Sequence, residues 1–261
     1  MKHNLKIISI LVILFLLAQL IGLFVVNVYL AKELPYDIKR PEFNETTSLF
    51  SIIVSIFIVT VLAMLLLRFN AVKLWKIWFF FGVWFALLIS FAAFTSELFA
   101  AGLAFLSAFF KIVRPSAIIH NLTELFIYGG LAAIFVPLLN VWTMIVLLIL
   151  ISVYDGIAVW KTKHMIKLAK FQSRIKIFTG LLIPYEKDKV AVLGGGDIGF
   201  SLFFAGVVMK SSGLLDALIV TLAVSIALLL LFLTAKKKKF YPAMPFLTAG
   251  ALIGYLIVLI I

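Results

Sequence analysis

The chain has 261 residues, of which 65% are hydrophobic and 13% are charged, so its composition lies far from that of a soluble globular domain. A soluble fold built from these residues would expose large apolar patches. The net charge of +12 does not indicate a nucleic-acid partner, because the basic residues lie between long apolar segments, as they do at the ends of membrane spans. The chain contains no cysteine, which excludes disulfide and thiolate chemistry.

Nine apolar segments follow one another along the chain, with lengths close to the roughly 20 helical residues that cross a bilayer. Backbone groups in lipid must be paired within the segment, so continuous apolar runs of this length must be helices. We therefore predict an all-α polytopic membrane protein in which residues 1–261 form a single membrane-embedded domain. The predicted spans are 5–30, 48–67, 74–94, 97–113, 117–138, 140–160, 190–209, 213–234 and 241–261.

The basic residues are distributed unevenly between the two sides of such a bundle. With the N-terminus inside, 19 of the 23 Lys and Arg residues lie on the inner side, Lys111 among them. The other 4, which include Lys39 and Lys210, lie on the outer side. Inner segments of membrane proteins carry this excess. We therefore predict a cytoplasmic N-terminus, an outside C-terminus and a location in the cell membrane.

The longest inner connection, residues 161–189, is basic and separates two groups of spans. Helices 1–6 lie within residues 1–160 and helices 7–9 within residues 190–261. No internal repeat is visible, which disfavours a transporter because many transporters are built from repeats.

Two aspartates lie inside spans, and a carboxylate in hydrocarbon is costly enough to indicate a function. Asp155 lies about 7–8 Å from the inner end of the sixth span, and Asp197 lies roughly 10 Å from the inner end of the seventh. Consecutive helices are neighbours, so we expect the two carboxyls to meet near the inner face. Such a pair shares one proton: one member draws a proton from water while the other donates to a carbonyl oxygen.

Glycines and prolines lie close to these acids. The glycines directly before Asp197 indicate either close helix packing or an unwound segment that lets a substrate backbone reach the acid, and the adjacent acid favours the second interpretation. Pro242 and Pro245 begin the ninth span and remove two backbone donors. They are typical either of a helix start or of exposed backbone that can pair with an extended peptide.

Three short motifs follow one another on the sixth, seventh and ninth predicted spans. They are Tyr154-Asp155, Gly194-Gly195-Gly196-Asp197 and Pro242-Ala243-Met244. With them the chain resembles archaeal-type members of the presenilin and signal peptide peptidase family of intramembrane aspartyl proteases. That family has Tyr-Asp, Gly-x-Gly-Asp and Pro-Ala-Leu in the same order, and this chain departs from it only in Met at the last position.

The resemblance implies a presenilin-like fold of nine helices and an aspartic-type endopeptidase that cleaves the transmembrane helices of other proteins within the bilayer. Asp155 and Asp197 would be the catalytic pair. A substrate helix would enter laterally, unwind and pair as a strand, and water would attack without a covalent intermediate. The residues expected to shape the site and bind substrate are Tyr154, Gly194, Gly195, Gly196, Pro242, Ala243 and Met244.

The predicted orientation is similar to that of presenilins and opposite to that of signal peptide peptidases, so we expect substrates with their N-terminus outside. The inner loop is short, and we expect a single chain that is active without internal cleavage. No cofactor is expected, and three histidines without close partners make a metal site improbable. The oligomeric state is not predicted.

Two other functions fit parts of this pattern. A cation- or proton-coupled transporter or channel would use the same buried carboxylates, although both acids lie toward one face. A prepilin-type peptidase shares Gly-x-Gly-Asp but lacks the Tyr-Asp and Pro-Ala-x motifs. Glu124, with His120 and Asn121, is interpreted as a polar contact in the bundle interior, and alternatively as a group that tunes the acid pair.

Overall fold

The computed structural model describes residues 4–40, 54, 58, 61–62, 72–159, 178–186, 189–235 and 241–261. Within these ranges, eight α-helices, two 3-10 helices of three residues each and one two-stranded antiparallel sheet have defined bounds. The elements are α1 (Leu5–Ala31), α2 (Val72–Ala92), α3 (Glu97–Val113), α4 (Ala117–Phe135), α5 (Val141–Ile157), β1 (Gly180–Glu186), β2 (Lys189–Gly194), α6 (Gly195–Ser212), α7 (Leu214–Thr234) and α8 (Met244–Ile260).

Four helices in the described part of the chain are long and apolar enough to cross a membrane. They are α1, α2, α4 with its following turn to Leu138, and α7, while α5 and α8 are apolar helices of 17 residues each. The predicted span 48–67 lies mostly outside the described residues, and its four described positions are helical. Nine spans and their orientation therefore stay predictions.

Helix boundaries follow from local capping chemistry. The Ser116 and Asn140 side chains accept the backbone N–H groups of Ile119 and Thr143, which caps the starts of α4 and α5. Gly213 separates α6 from α7 with φ of 108°, a conformation that a residue with a side chain rarely adopts. These signals explain why the apolar segments break where they do.

The predicted all-α architecture is confirmed, and the structure adds one element that the sequence did not predict, a hairpin of β1 and β2. Gly180 pairs with Gly194 and Leu182 with Val192. Residues 190–194, which the sequence assigned to the seventh span, are therefore strand. Val190 and Val192 are exposed while the residues between and after them are buried, so the segment has the two-residue period of a strand. The hairpin leads without a linker into α6.

Helix α1 is central to the bundle and packs against α4, α6 and α7. Glycines permit the closest approaches: a Cβ on Gly22 would lie 2.2 Å from Cδ2 of Leu202, and one on Gly130 would lie 1.9 Å from the carbonyl oxygen of Ala86. Small residues at such crossings are typical of membrane helices, because backbone contact there replaces hydrophobic driving force. A second cluster joins α2 and α3 to α4.

The C-terminal ends of α1, α4 and α6 lie at the same end of the molecule. Arg40 donates to the carbonyl oxygens of Tyr29 at 2.6 Å and Ala133 at 3.3 Å. Lys210 donates to the carbonyl oxygen of Pro137 at 2.7 Å. The alternating arrangement predicted from the sequence places these three helix ends together.

Lys111, which the charge count placed on the inner side, is a buried residue. Its side chain is 4% exposed near the end of α3, and its Nζ lies 2.8 Å from Oε1 of Glu124 on α4. A buried ammonium with a carboxylate partner is a packing group rather than a headgroup anchor. The excess of basic residues on the predicted inner side remains large without it.

Candidate active site

Asp155 lies in the last turn of α5 and caps the start of α8. Its Oδ2 accepts the backbone N–H of Met244 at 3.2 Å, and the N–H of Ala243 also faces this carboxyl. Proline has no N–H, so Pro242 and Pro245 leave these two groups as the donors of the segment. Both donors serve Asp155, and the Ala243 carbonyl accepts the N–H groups of Phe246 and Leu247 at 3.1 Å each, so the backbone of this segment is paired with the acid and with the helix start.

Asp197 is the third residue of α6, and its carboxyl turns back toward the N–H of Gly194. This is the acid half of a capping box, in which a carboxylate in the first turn accepts the N–H of the residue before the helix. A Cβ on Gly194 would lie 3.1 Å from Oδ2 of Asp197. Glycine at this position therefore leaves the carboxyl room to turn back.

The two acids lie on helices that pack against each other. Helix α5 packs against α6 and α8, and the carboxyls of Asp155 and Asp197 lie close enough for their charges to interact. Both side chains are half-buried. Two interacting carboxyls in an apolar surrounding titrate as a unit and carry one negative charge more readily than two. The arrangement can therefore hold an ionised and a protonated carboxyl side by side.

The three glycines before Asp197 have different surroundings. A Cβ on Gly195 would lie 2.7 Å from the hydroxyl oxygen of Tyr128, so packing requires glycine there. A Cβ on Gly196 would meet only the Phe200 ring, at 3.9 Å, so this position is open. Close helix packing thus fits Gly195, and access for a substrate backbone fits Gly196.

A family model described as "Signal-peptide peptidase, presenilin aspartyl protease" matches residues 9–261. The chain belongs to this family. Its members are intramembrane aspartyl proteases, and the apolar helices of this member are those of a membrane protein. No curated protein sequence matches the chain significantly. The comparisons give no support to a transporter or channel.

Two solved structures share the fold of this presenilin-family protease. Both are described as "a presenilin family intramembrane aspartate protease", one in space group C222 and the other in P2. The first has a TM-score of 0.68 and 22% identity, and the similarity covers 96% of this chain and 97% of that one. The second has a TM-score of 0.68 and 20% identity, with 95% of each chain covered. The fold is therefore presenilin-like.

The remaining motif residues of the protease lie in different environments. The Tyr154 side chain is 56% exposed and lies on the surface of the bundle, although it directly precedes Asp155. Pro242 and Met244 are buried, and Ala243 is half-buried. The Pro-Ala-Met segment thus lies at the site through its backbone, while Tyr154 faces outward.

Sequence reasoning missed two polar contacts near the aspartates. The Ser152 and Thr248 hydroxyls lie 2.7 Å apart and join α5 to α8 three residues from Asp155. The Tyr128 hydroxyl donates to Oε2 of Glu124, which lies one helical turn earlier on α4. The signal for such contacts is an isolated polar group in an apolar span, which has to find a partner inside the bundle.

Two interior polar residues are paired within the bundle, and for Glu124 this confirms the interpretation as a polar contact. Gln19 donates to the carbonyl oxygen of Ile198 at 3.0 Å, an interhelical bond beside Asp197. Glu124 is fully buried and paired within the bundle. Among the described residues, no group of three or more His, Asp or Glu side chains could hold a metal ion.

Proposed function

We propose that this presenilin-family protease hydrolyses peptide bonds within transmembrane segments, with Asp155 and Asp197 as the catalytic pair. The support for the proposal is that α5 packs against α6 and that the carboxyls in the last turn of α5 and the first turn of α6 lie within range of an electrostatic interaction. Carboxyl pairs of this kind activate water in aspartic proteases.

The reaction needs only these two groups and water. The ionised carboxyl takes a proton from water as the water oxygen attacks the scissile carbonyl carbon, and the protonated carboxyl gives its proton to the carbonyl oxygen. One carboxyl then takes a hydroxyl proton from the tetrahedral intermediate while the other gives its proton to the amide nitrogen, and the C–N bond breaks. The products are a carboxylic acid and an amine, and the pair regains its single shared proton.

We propose that an extended substrate pairs with the outer edge of β2. The outer edge of β1 is occupied, because the Asn121 side chain accepts the N–H of Leu182 at 2.9 Å and donates to its carbonyl at 2.7 Å. In the described part of the chain, β2 has β1 as its only strand neighbour and ends three residues before Asp197. Strand pairing would satisfy the backbone of an unwound substrate, which lipid does not.

The open surface at Gly196 supports the same path for the substrate, because it leaves space beside Asp197. Within this proposal, residues 1–160 and 190–261 form one protease domain in which each part contributes one aspartate. The Gly194–Gly196 and Pro242–Met244 segments shape its site, and the exposed Tyr154 side chain contacts substrate at the surface of the bundle.

The proposed topology has nine spans, the N-terminus in the cytoplasm and the C-terminus outside the cell membrane. Its support is the charge asymmetry of the sequence together with the shared end of α1, α4 and α6. Peptide direction matters at a site built from a fixed strand, so substrates with an outside N-terminus should be cleaved in preference to inverted ones. The chain acts without internal cleavage.

The test is cleavage of a single-span reporter by the purified full-length protein in detergent. Asp155→Asn and Asp197→Asn each keep the shape of the side chain but remove the acid, so the rate should fall by at least about 100-fold. Asp216→Asn is the matched control, because Asp216 is also the third residue of its helix, α7. Near-normal cleavage by either of the first two variants would refute the proposal, and ion flux without proteolysis would favour a transporter.

A further inference from the structure

A buried carboxylate beside the aspartate pair has no part in the reaction proposed above. Glu124 is 0% exposed, and its Oε1 accepts from Lys111 Nζ at 2.8 Å. Its Oε2 accepts the Tyr128 hydroxyl and, at 3.0 Å, the backbone N–H of Gly180. One side chain therefore holds a helix, an aromatic ring and the start of β1 at once.

Lys111 extends this network to the other backbone group of Gly180. Its Nζ donates to Thr123 Oγ1 at 2.9 Å and lies 3.2 Å from His120 Nδ1. An ammonium group only donates, so Nδ1 accepts and the neutral ring carries its proton on Nε2. That Nε2–H donates to the carbonyl oxygen of Gly180 at 2.7 Å. Side chains of α4 thus hold both backbone groups of Gly180.

Gly180 is the first residue of β1, at the base of the hairpin that leads to Asp197. Gly180 has φ of 128°, and a Cβ on it would lie 2.1 Å from the carbonyl oxygen of Leu193. It pairs with Gly194, and the carbonyl of Thr179 accepts the N–H of Gly195 at 3.1 Å. The position of Gly180 therefore fixes the first residue of α6.

Tyr128 connects the same network to the first turn of α6 through a second contact. Its hydroxyl oxygen would lie 2.7 Å from a Cβ on Gly195, and its ring 3.6 Å from a Cβ on Gly199. The ring thus lies along the first turn of α6, and its hydroxyl is close enough to interact electrostatically with Asp197. Glu124 therefore holds both the start of β1 and the Tyr128 side chain, which border Asp197 on the side of α4.

We propose that Glu124 is a positioning residue for the hydrolysis proposed above, with Lys111 as its buried counter-ion and Tyr128 as its contact with α6. The network sets where the Asp197 carboxyl lies relative to Asp155. This inference rests on the proposed function, because it needs both aspartates to act on one water molecule. A displacement of about 1 Å between reacting groups is enough to slow a reaction by about 100-fold.

The first test compares Tyr128→Phe with Tyr29→Phe in the full-length protein. Each change removes one buried hydroxyl, and that of Tyr29 donates to the carbonyl oxygen of Ile89 at 2.9 Å, in the part of α1 near Arg40. Tyr128→Phe should lower kcat for the reporter by about 10- to 100-fold with an unchanged KM. Tyr29→Phe should change neither constant.

The pH profile of kcat separates positioning from loss of folded protein. A smaller folded fraction lowers kcat equally at every pH. A displaced Asp197 changes the coupling between the two carboxyls, so the limbs of the profile move along the pH axis. We expect the limbs to move in Tyr128→Phe and to stay in place in Tyr29→Phe.

The second test removes both charges of the network. Glu124→Gln alone leaves the Lys111 ammonium buried without a counter-charge, which is strongly destabilising, whereas removing both charges of a buried pair is often tolerated. The double variant Lys111→Met with Glu124→Gln keeps an amide oxygen that can accept the N–H of Gly180. This double variant should fold. It should cleave the reporter more slowly than the wild type does, and the limbs of its pH profile of kcat should move along the pH axis.

The outcomes distinguish this inference from the proposed function. If Tyr128→Phe keeps the wild-type kcat and pH profile while Asp197→Asn is inactive, Glu124 is structural only and the inference is overturned. If Asp197→Asn itself cleaves the reporter, the catalytic pair is wrong. If the double variant does not fold, the comparison of Tyr128→Phe with Tyr29→Phe decides.

Discussion

At the scale of single residues, both aspartates meet the cost of a carboxylate in an apolar protein in the same way. The carboxyl of each lies at a helix N-terminus: that of Asp155, from the last turn of α5, at the start of α8, and that of Asp197 in the first turn of α6. Helix N-termini offer unpaired N–H groups and the positive end of the helix dipole. The short motifs around the acids thus supply local donors for a pair of groups that lipid would not solvate.

The glycines before Asp197 give a residue-scale prediction. Gly195→Ala should lower the unfolding temperature in detergent and reduce cleavage, because its Cβ would lie 2.7 Å from the Tyr128 hydroxyl oxygen. Gly196→Ala is the control for folding. Its Cβ has space, and alanine is favoured over glycine in helices by about 1 kcal/mol, so its unfolding temperature should not fall.

Reporter kinetics complete this comparison. With a substrate that passes the open surface at Gly196, Gly196→Ala should raise KM without loss of stability. A Gly195→Ala protein as stable and as active as the wild type would contradict the packing described here.

At the scale of elements, the sequence predicts the apolar helices well, because length and continuous hydrophobicity suffice in lipid. It does not predict β2, since residues 190–193 are all apolar and hide the alternation of exposed and buried positions. That strand depends on pairing with β1, which in turn packs against α4. Such long-range partners leave no local signal.

The buried ion pair escaped prediction for the same reason. Lys111 and Glu124 lie 13 residues apart on different helices, and each alone fits another interpretation. A lysine near the end of a span usually marks topology. In contrast, the aspartate pair was predictable, because each acid lies in its own short motif and consecutive helices bring the motifs together.

Asn121 gives a prediction for the hairpin as an element. Asn121→Ala removes both side-chain bonds to Leu182 and should lower the free energy of unfolding by about 1–3 kcal/mol. Amide hydrogen exchange should become faster in β1 and β2. Asn140→Ala is the matched control, because it removes only the cap of α5. Equal exchange of the hairpin amides in both variants would show that Asn121 does not hold β1.

At the scale of the whole molecule, one end of the bundle carries the contacts of Arg40 and Lys210, and the aspartates lie at helix ends away from it. Consecutive spans that alternate in direction across the membrane require this arrangement. The charge asymmetry of the sequence predicts that the aspartate end faces the cytoplasm. We therefore predict cleavage near the inner face of the membrane.

Single cysteines test this orientation without a background signal, because the chain contains none. Both Lys39 and Lys73 are exposed, and the predicted topology places Lys39 outside and Lys73 inside. A membrane-impermeant maleimide should label Lys39→Cys in intact cells and Lys73→Cys only after permeabilisation. The reverse labelling pattern would invert the topology and with it the expected substrate direction.

The most direct test of the shared site measures how tightly a substrate-like peptide binds. In this peptide a tetrahedral carbon that carries a hydroxyl replaces the scissile carbonyl. The control is the same peptide without that hydroxyl. A hydroxyl that contacts both carboxyls mimics the transition state, and such analogues bind about 100-fold or more tightly than ground-state ligands. The wild type and Asp216→Asn should show this gain, and Asp155→Asn and Asp197→Asn should each lose it. A gain that persists without either aspartate, or that is absent from the wild type, would contradict the account.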